Sequence, residues 1–221
     1  MSMKIIRVRM VLLLPLIAWI LSAADAAATG DAVLDTTGES VETVTRLYNI
    51  LPVLPGPGGG VTLSSPNGTC PLSVAQDVVD VSNGFPVLFW PVDSGYGDVV
   101  TESKPLNIMF SSLPVCTESS IWKLGDASGA NGWRYVMTGG VFGDDKSLFS
   151  IEKYGGNYTL VFCGGTQVNG PHMGGLLGSG CGYVGVYSEA GQQWLGLSDE
   201  PFLVRFKRTV AMGGGQRKNE I

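Results

Sequence analysis

One histidine, His172, serves the whole 221-residue chain, and no Cys-x-x-Cys pair occurs anywhere in it. A structural zinc site wants four cysteine or histidine ligands at close spacing, so no metal is expected here, nor any other cofactor. Serine or cysteine nucleophiles draw on a histidine base. His172 lies in "NGPHMGG", where it reads as an exposed loop residue. The acidic pairs Asp144-Asp145 and Asp199-Glu200 fall in turns and read as solvated surface rather than a glycosidase dyad. "GLLGSGCG" lacks the lysine and the strand-to-helix setting of a phosphate cradle. The chain is therefore not expected to be an enzyme. Cations are also scarce, 14 Lys and Arg against 19 Asp and Glu. That balance excludes binding to a phosphate backbone or to an anionic lipid surface. Helical periodicity is nearly missing, and beyond residue 30 no apolar run reaches the roughly 20 residues that span a bilayer.

What is present begins with a basic start (Lys4, Arg7, Arg9) and an apolar stretch from Met10 to Leu21. Small residues follow, with Ala-x-Ala sites at Ala24-Asp25-Ala26 and Ala26-Ala27-Ala28. Residues 1–28 are accordingly expected to be a secretory signal peptide; a membrane anchor is the alternative, but the apolar core is short for one. Cleavage removes three basic residues and one acidic residue, which moves the formal charge from −5 to −7. Residues 29–210 are expected to form one domain, and 211–221, "MGGGQRKNEI" and its preceding alanine, a disordered tail with no apolar face to bury.

The four cysteines, Cys70, Cys116, Cys163 and Cys181, make an even count, which in an exported chain reads as two disulfides. Three pairings are possible. The sequons at Asn67 and Asn157 could carry glycans in that compartment.

Short apolar runs alternate with clusters of Gly, Pro, Asn and Asp. Twelve runs read as strands: "RLYNIL", "VTL", "LSVAQDV", "PVLFW", "LNIMF", "SIWKL", "WRYVM", "LFSIEKY", "YTLVFC", "YVGVYS", "QQWLGL" and "FLVRFK". Evenly spaced short strands signal an all-β sandwich or barrel, and the 32 glycines suit many tight turns. Three sets of four strands fit a β-trefoil, while the pattern alone leaves a sandwich open. Trp90, Trp122, Trp133 and Trp194 lie on or beside these runs and are expected in the core or closing the barrel.

Certain stretches are less generic. "VLDTTGE" (Val33 to Glu39), "YNILP", "NGTCPLSVAQ" (Asn67 to Gln76), "GFPVLFWP" (Gly84 to Pro91), "FSIEKYGGNYTLVFC" (Phe149 to Cys163) and "WLGLSDEPFLVRFK" (Trp194 to Lys207) occur in that order. Together they resemble the plant Kunitz-type, soybean trypsin inhibitor-like family. "CPLSVAQ", "GFPV" and "IEKYGGNY" resemble its cereal amylase/subtilisin inhibitor branch. The resemblance runs from about Val33 to Lys207 and implies a β-trefoil with the sequential disulfides Cys70–Cys116 and Cys163–Cys181. It further implies a monomer in the extracellular space or vacuole that inhibits a serine endopeptidase, with α-amylase as a second candidate partner on another face and a storage or defence protein without inhibitory activity as the remaining alternative.

The resemblance also places the protease-binding loop between the fourth and fifth strands, at Pro91 to Lys104, "PVDSGYGDVVTESK". Such a loop is a substrate bound well and cut badly, held in an extended shape by the barrel behind it. Counting back from "PLNIMF" puts the specificity residue at Tyr96, within Ser94, Gly95, Tyr96, Gly97 and Asp98; counting forward from "GFPVLFW" gives Ser94 instead. No Arg or Lys stands between Pro91 and Lys104, so a trypsin-type pocket with an aspartate at its base finds no cation there. Thr43 falls where trypsin-inhibiting members carry an asparagine that braces the loop carbonyls, and its hydroxyl is one donor where an amide offers two. Gly95 and Gly97 flank Tyr96 and raise the entropy of the free loop. Between Cys163 and Cys181 lies a 17-residue glycine-rich stretch holding Leu176 and Leu177, a loop-tip insertion or a second contact surface.

Overall fold

The computed structural model describes residues 30–209, apart from 55, 57, 66–67, 113–115, 117, 128–131 and 165–180. The signal segment, the tail, Asn67, His172 and the Leu176-Leu177 stretch lie outside the described residues. The fold described below belongs to the compact unit that begins at Ala32.

Twelve strands appear, each at one of the twelve apolar runs: β1 Tyr48–Pro52, β2 Val61–Ser64, β3 Ser73–Gln76, β4 Val87–Pro91, β5 Leu106–Phe110, β6 Lys123–Leu124, β7 Val136–Met137, β8 Phe149–Tyr154, β9 Asn157–Cys163, β10 Cys181–Glu189, β11 Gln192–Ser198 and β12 Leu203–Arg208. Antiparallel pairing of β1 with β4, β4 with β5, β5 with β8, β8 with β9, β9 with β12 and β12 with β1 closes a six-stranded ring. Closure removes the open edges that a flat sheet would expose. The other strands form three hairpins, β2–β3, β6–β7 and β10–β11, which meet through β3–β11, β3–β7 and a bridge from Tyr135 to Gly196. A closed six-stranded barrel with a hairpin triplet, in three four-strand repeats, is a β-trefoil.

Side chains on alternate positions fill the barrel, as the period of two along a strand requires. In β12, Val204 and Phe206 are fully buried while Arg205 and Lys207 face solvent. Phe206 meets Phe89 edge-on, with ring centroids 5.3 Å apart, a favoured aromatic geometry. Trp122 is fully buried and Trp194 nearly so, as expected. Trp90 is only half-buried because its position on β4 points outward; Trp133, before β7, is also half-buried and stacks on Tyr187 at 4.4 Å. Cys70 bonds Cys116 and Cys163 bonds Cys181, the latter across directly opposed positions of β9 and β10. Glu118 lies beside the first pair, but its thiols are consumed by the disulfide. Asn157 opens β9 at the β8–β9 turn and is half-buried.

Candidate functional site

The strand pair β4–β5 stays in register to its end, Pro91 opposite Leu106, and Val92 N–H donates to the Pro105 carbonyl at 3.3 Å. The connection is therefore Val92–Pro105, rising from a paired base; Pro91 itself is a buried residue of β4.

The second half of this loop is a strand in all but name. Val100 N–H donates to Val41 O at 2.8 Å, Val33 N–H donates to Val100 O at 2.9 Å, and bridges join Glu42 to Val99 and Ala32 to Thr101. Val33, Val41 and Val100 have no exposed surface, so the chain before β1 is pinned beneath the loop by apolar burial as well as by hydrogen bonds. Farther on, Ser103 N–H donates to Ile151 O at 3.0 Å and its hydroxyl to Glu152 Oε2 at 2.5 Å, which clips the loop to β8.

Around Tyr96 the bracing is denser. Thr43 is fully buried, and its hydroxyl donates to the Gly95 carbonyl at 2.6 Å. Its backbone contributes twice more: Thr43 N–H donates to Asp98 O at 2.8 Å, and Thr43 O accepts from Gly97 N–H at 3.1 Å. Asp98 Oδ2 accepts from Gly95 N–H at 2.6 Å. One residue thus holds the backbone on both sides of Tyr96, using main-chain groups where an amide side chain would have supplied a second donor. Gly97 is also required by the backbone conformation. Gly97 sits at φ +81°, a conformation that side-chain-bearing residues adopt only with strain. The bracing bends Tyr96-Gly97 into a turn, so the segment is not extended throughout as expected.

Tyr96 is 74% exposed and makes no hydrogen bond among the described residues, so its backbone N–H and carbonyl are unclaimed while its neighbours are held. Its ring leans on Trp90 with centroids 5.7 Å apart, and Phe142, from the β7–β8 connection, packs on Trp90 at 4.9 Å. Trp90 is a platform for the loop rather than core.

The segment that carries Thr43 is anchored in turn. Asp35 Oδ1 accepts from the Thr37 amide, the Thr37 hydroxyl and the Glu39 amide at 2.8, 2.6 and 3.2 Å. Arg208 on β12 reaches Asp35 Oδ2 at 3.4 Å and Glu39 Oε2 at 2.8 Å. Burial pushes the Asp35 carboxyl up, but the Thr37 and Glu39 hydrogen bonds and Arg208 outweigh it and hold it below its ordinary value of 3.8. Glu42 N–H donates to the Tyr48 hydroxyl and Leu34 N–H to the Tyr158 hydroxyl, at 2.9 and 3.0 Å. Sequence reasoning singled out Thr43 and the loop but missed Asp35, Tyr48 and Trp90 as their supports.

Chemically, the arrangement displays one amphipathic ring on a restrained, acidic, lysine-free turn. It brings together Thr43, Gly95, Gly97 and Asp98; Ser94, the other register's candidate, is half-buried beside them, 3.5 Å from the Pro91 carbonyl.

Residues 33–208 match the profile of the legume Kunitz family, described as trypsin and protease inhibitor. Miraculin of Synsepalum dulcificum is 40% identical over 205 residues, covering 86% of this chain and 88% of miraculin. The alpha-amylase/subtilisin inhibitor of Oryza sativa subsp. japonica is 34% identical over 183 residues, covering 80% of this chain and 84% of its own. The solved rice bifunctional alpha-amylase/subtilisin inhibitor superposes with a TM-score of 0.65 at 30% identity, over 82% of this chain and all of that one.

Proposed function

The chain belongs to the legume Kunitz family of trypsin and protease inhibitors, whose members are inhibitors rather than enzymes, and from that premise we propose that it inhibits a serine endopeptidase of chymotrypsin or subtilisin type through Tyr96. The observation that carries this reading is the exposed, unclaimed Tyr96 between Gly95 and Gly97, both tied to buried Thr43. A protease needs the carbonyl of the residue in its specificity pocket for its oxyanion hole, and the carbonyl of Tyr96 is free. Restraint on either side leaves less entropy to lose on docking. It also keeps the ends of a cut bond in place, so that religation competes with release. A phenol ring suits a deep apolar pocket with a wet end. The absence of Arg or Lys between Pro91 and Lys104 speaks against a trypsin-type pocket.

Export as a monomer is part of the same proposal. The export is supported by the N-terminal pattern of residues 1–28 and by two disulfides, which persist in oxidising compartments.

Progress curves for subtilisin, chymotrypsin, trypsin and α-amylase, titrated with the purified protein and with Tyr96→Ala, test the reading. Stoichiometric inhibition of subtilisin or chymotrypsin, lost in Tyr96→Ala, is the expected result. Inhibition of α-amylase alone, unchanged in the variant, would move the function to another face. Rapid cleavage after Tyr96 without inhibition would overturn it.

A further inference from the structure

The loop Val92–Pro105 has fourteen residues, and several of them are turned inward. A stable interface between proteins takes about 20–30 residues on each side. The loop falls short of that by itself, so a tight complex needs a second contact element close by. The β7–β8 connection, in the turn "GGVFGDDK", places Val141 66% exposed and Phe142 43% exposed. Val141 contributes little to the fold at that exposure, while Phe142 keeps one side on Trp90 and leaves the rest to solvent, so the pair extends the apolar surface beside the loop.

We propose that Val141 and Phe142 form a second arm that touches the rim of the active-site cleft of the same serine endopeptidase that takes Tyr96. The proposal rests on the reading of Tyr96 given above and adds the element that completes the interface. Three observations carry it. The first is continuity: Trp90 packs against Tyr96 on one side and Phe142 on the other, at 5.7 and 4.9 Å. The three rings make one apolar strip running from the loop to the turn.

The second is a shared support. Trp90 on β4 stands directly opposite Asn107 on β5. Asn107 is fully buried, and its amide donates to Ser147 O at 2.8 Å and accepts from Gly143 N–H at 3.0 Å. One cross-strand pair therefore fixes the loop and the turn relative to each other. The third is rigidity within the turn. Ser147 Oγ accepts from Val141 N–H at 3.1 Å, Asp144 Oδ1 accepts from Lys146 N–H at 3.0 Å, and Ser147 N–H donates to Asp144 O at 2.8 Å. Gly140 lies so close beneath that a Cβ there would meet Trp122 O at 2.6 Å. Two rigid, mutually fixed elements lose little freedom on docking, and an aromatic anchor near the centre of an interface is where binding energy concentrates.

The test compares wild type, Tyr96→Ala, Val141→Asp and Phe142→Ala by inhibition of subtilisin and chymotrypsin, with thermal melts of each. Val141→Asp places a charge on an exposed side chain, so its melting temperature is expected to stay put while its inhibition constant rises about tenfold or more, through faster dissociation. Phe142→Ala is expected to weaken inhibition in the same way. If both variants inhibit like wild type while Tyr96→Ala does not, the second arm falls and the Tyr96 reading stands. If wild type inhibits neither enzyme, both fall. Self-association of the free protein that Val141→Asp abolishes, with inhibition unchanged, would assign the strip to a second copy and overturn the proposal.

Discussion

Thr43 and Gly95 stand 52 positions apart in sequence, yet the threonine hydroxyl donates to the glycine carbonyl at 2.6 Å, one residue before Tyr96. Thr43 itself is fully buried. Thr43→Val keeps the shape and removes the donor, leaving a carbonyl without its partner. Gly95 is exposed, so water can reach that carbonyl and the loss costs about 0.5–1.5 kcal/mol. The variant is expected to fold, to inhibit up to about tenfold more weakly, and to be cut faster at the loop during long incubation with protease. Thr43→Ser, which keeps the hydroxyl, is expected to behave as wild type. Equal inhibition by Thr43→Val would show that the main-chain bonds of residue 43 brace the loop unaided.

A Tyr96→Arg exchange asks whether the side chain alone chooses the target. The position is 74% exposed, so the exchange leaves the fold intact. It supplies the cation that a trypsin-type pocket pairs with its aspartate. Inhibition of trypsin is expected to appear and inhibition of chymotrypsin to fall by about a hundredfold. Discrimination of that order is what a wrong partner for a buried charge imposes. Trypsin that remains uninhibited would place the specificity residue elsewhere, with Ser94 the next position to change.

The strands were legible because apolar alternation and turn residues are local signals. All twelve runs became strands, though "SIWKL" and "WRYVM" shrank to the two-residue pairs β6 and β7. Those two lie where the hairpins converge, and past them Gly125 N–H still donates to Tyr135 O at 2.8 Å, where a Cβ at residue 125 would meet Met137. A long β4–β5 connection was legible from the spacing of the runs, while its assignment as a protease-binding loop rests on the resemblance. The bracing of the loop was not legible, since the contacts of Thr43, Asp35 and Tyr48 join segments that are distant in sequence and leave no periodicity. Two signals could have been used. Asn107 is a polar residue inside the apolar run "LNIMF", and a buried amide must find partners. Val141-Phe142 is an apolar pair inside a glycine and aspartate turn. Trp90 was misplaced because hydrophobicity gives a strand's buried residues no sign of which face is which.

The two disulfides differ in the chain they close, with separations of 46 and 18 residues. Loop-closure entropy puts the longer at about 4 kcal/mol and the shorter at about 3 kcal/mol. The double replacement Cys70→Ser with Cys116→Ser is therefore expected to lower the denaturation midpoint more than Cys163→Ser with Cys181→Ser. Neither pair touches the Tyr96 loop, so inhibition by the folded fraction is expected to survive both. The reverse order of midpoints would mean that the denatured chain keeps structure around Cys70.

Acid tests the anchor of the Thr43 segment. Asp35 gathers three hydrogen bonds on one oxygen and faces Arg208 with the other. These hold its carboxyl below 3.8 despite burial. A carboxyl lowered in the fold binds protons less readily than in the unfolded chain, so its contribution is complete above the unfolded value and is lost as pH falls through the folded one. Wild-type stability is expected to drop as pH falls below about 4 for this reason. Asp35→Asn keeps an acceptor but loses the charge; it is expected to be less stable than wild type at pH 7 and to lose less on acidification. Because Asp35 tethers the segment that ends in Thr43, the same variant is expected to weaken inhibition at neutral pH while Tyr96 is untouched. Thermal melts of both proteins from pH 2 to pH 7, with inhibition measured at pH 7, check each part. Parallel curves for the two proteins would locate the acid sensitivity in another carboxylate.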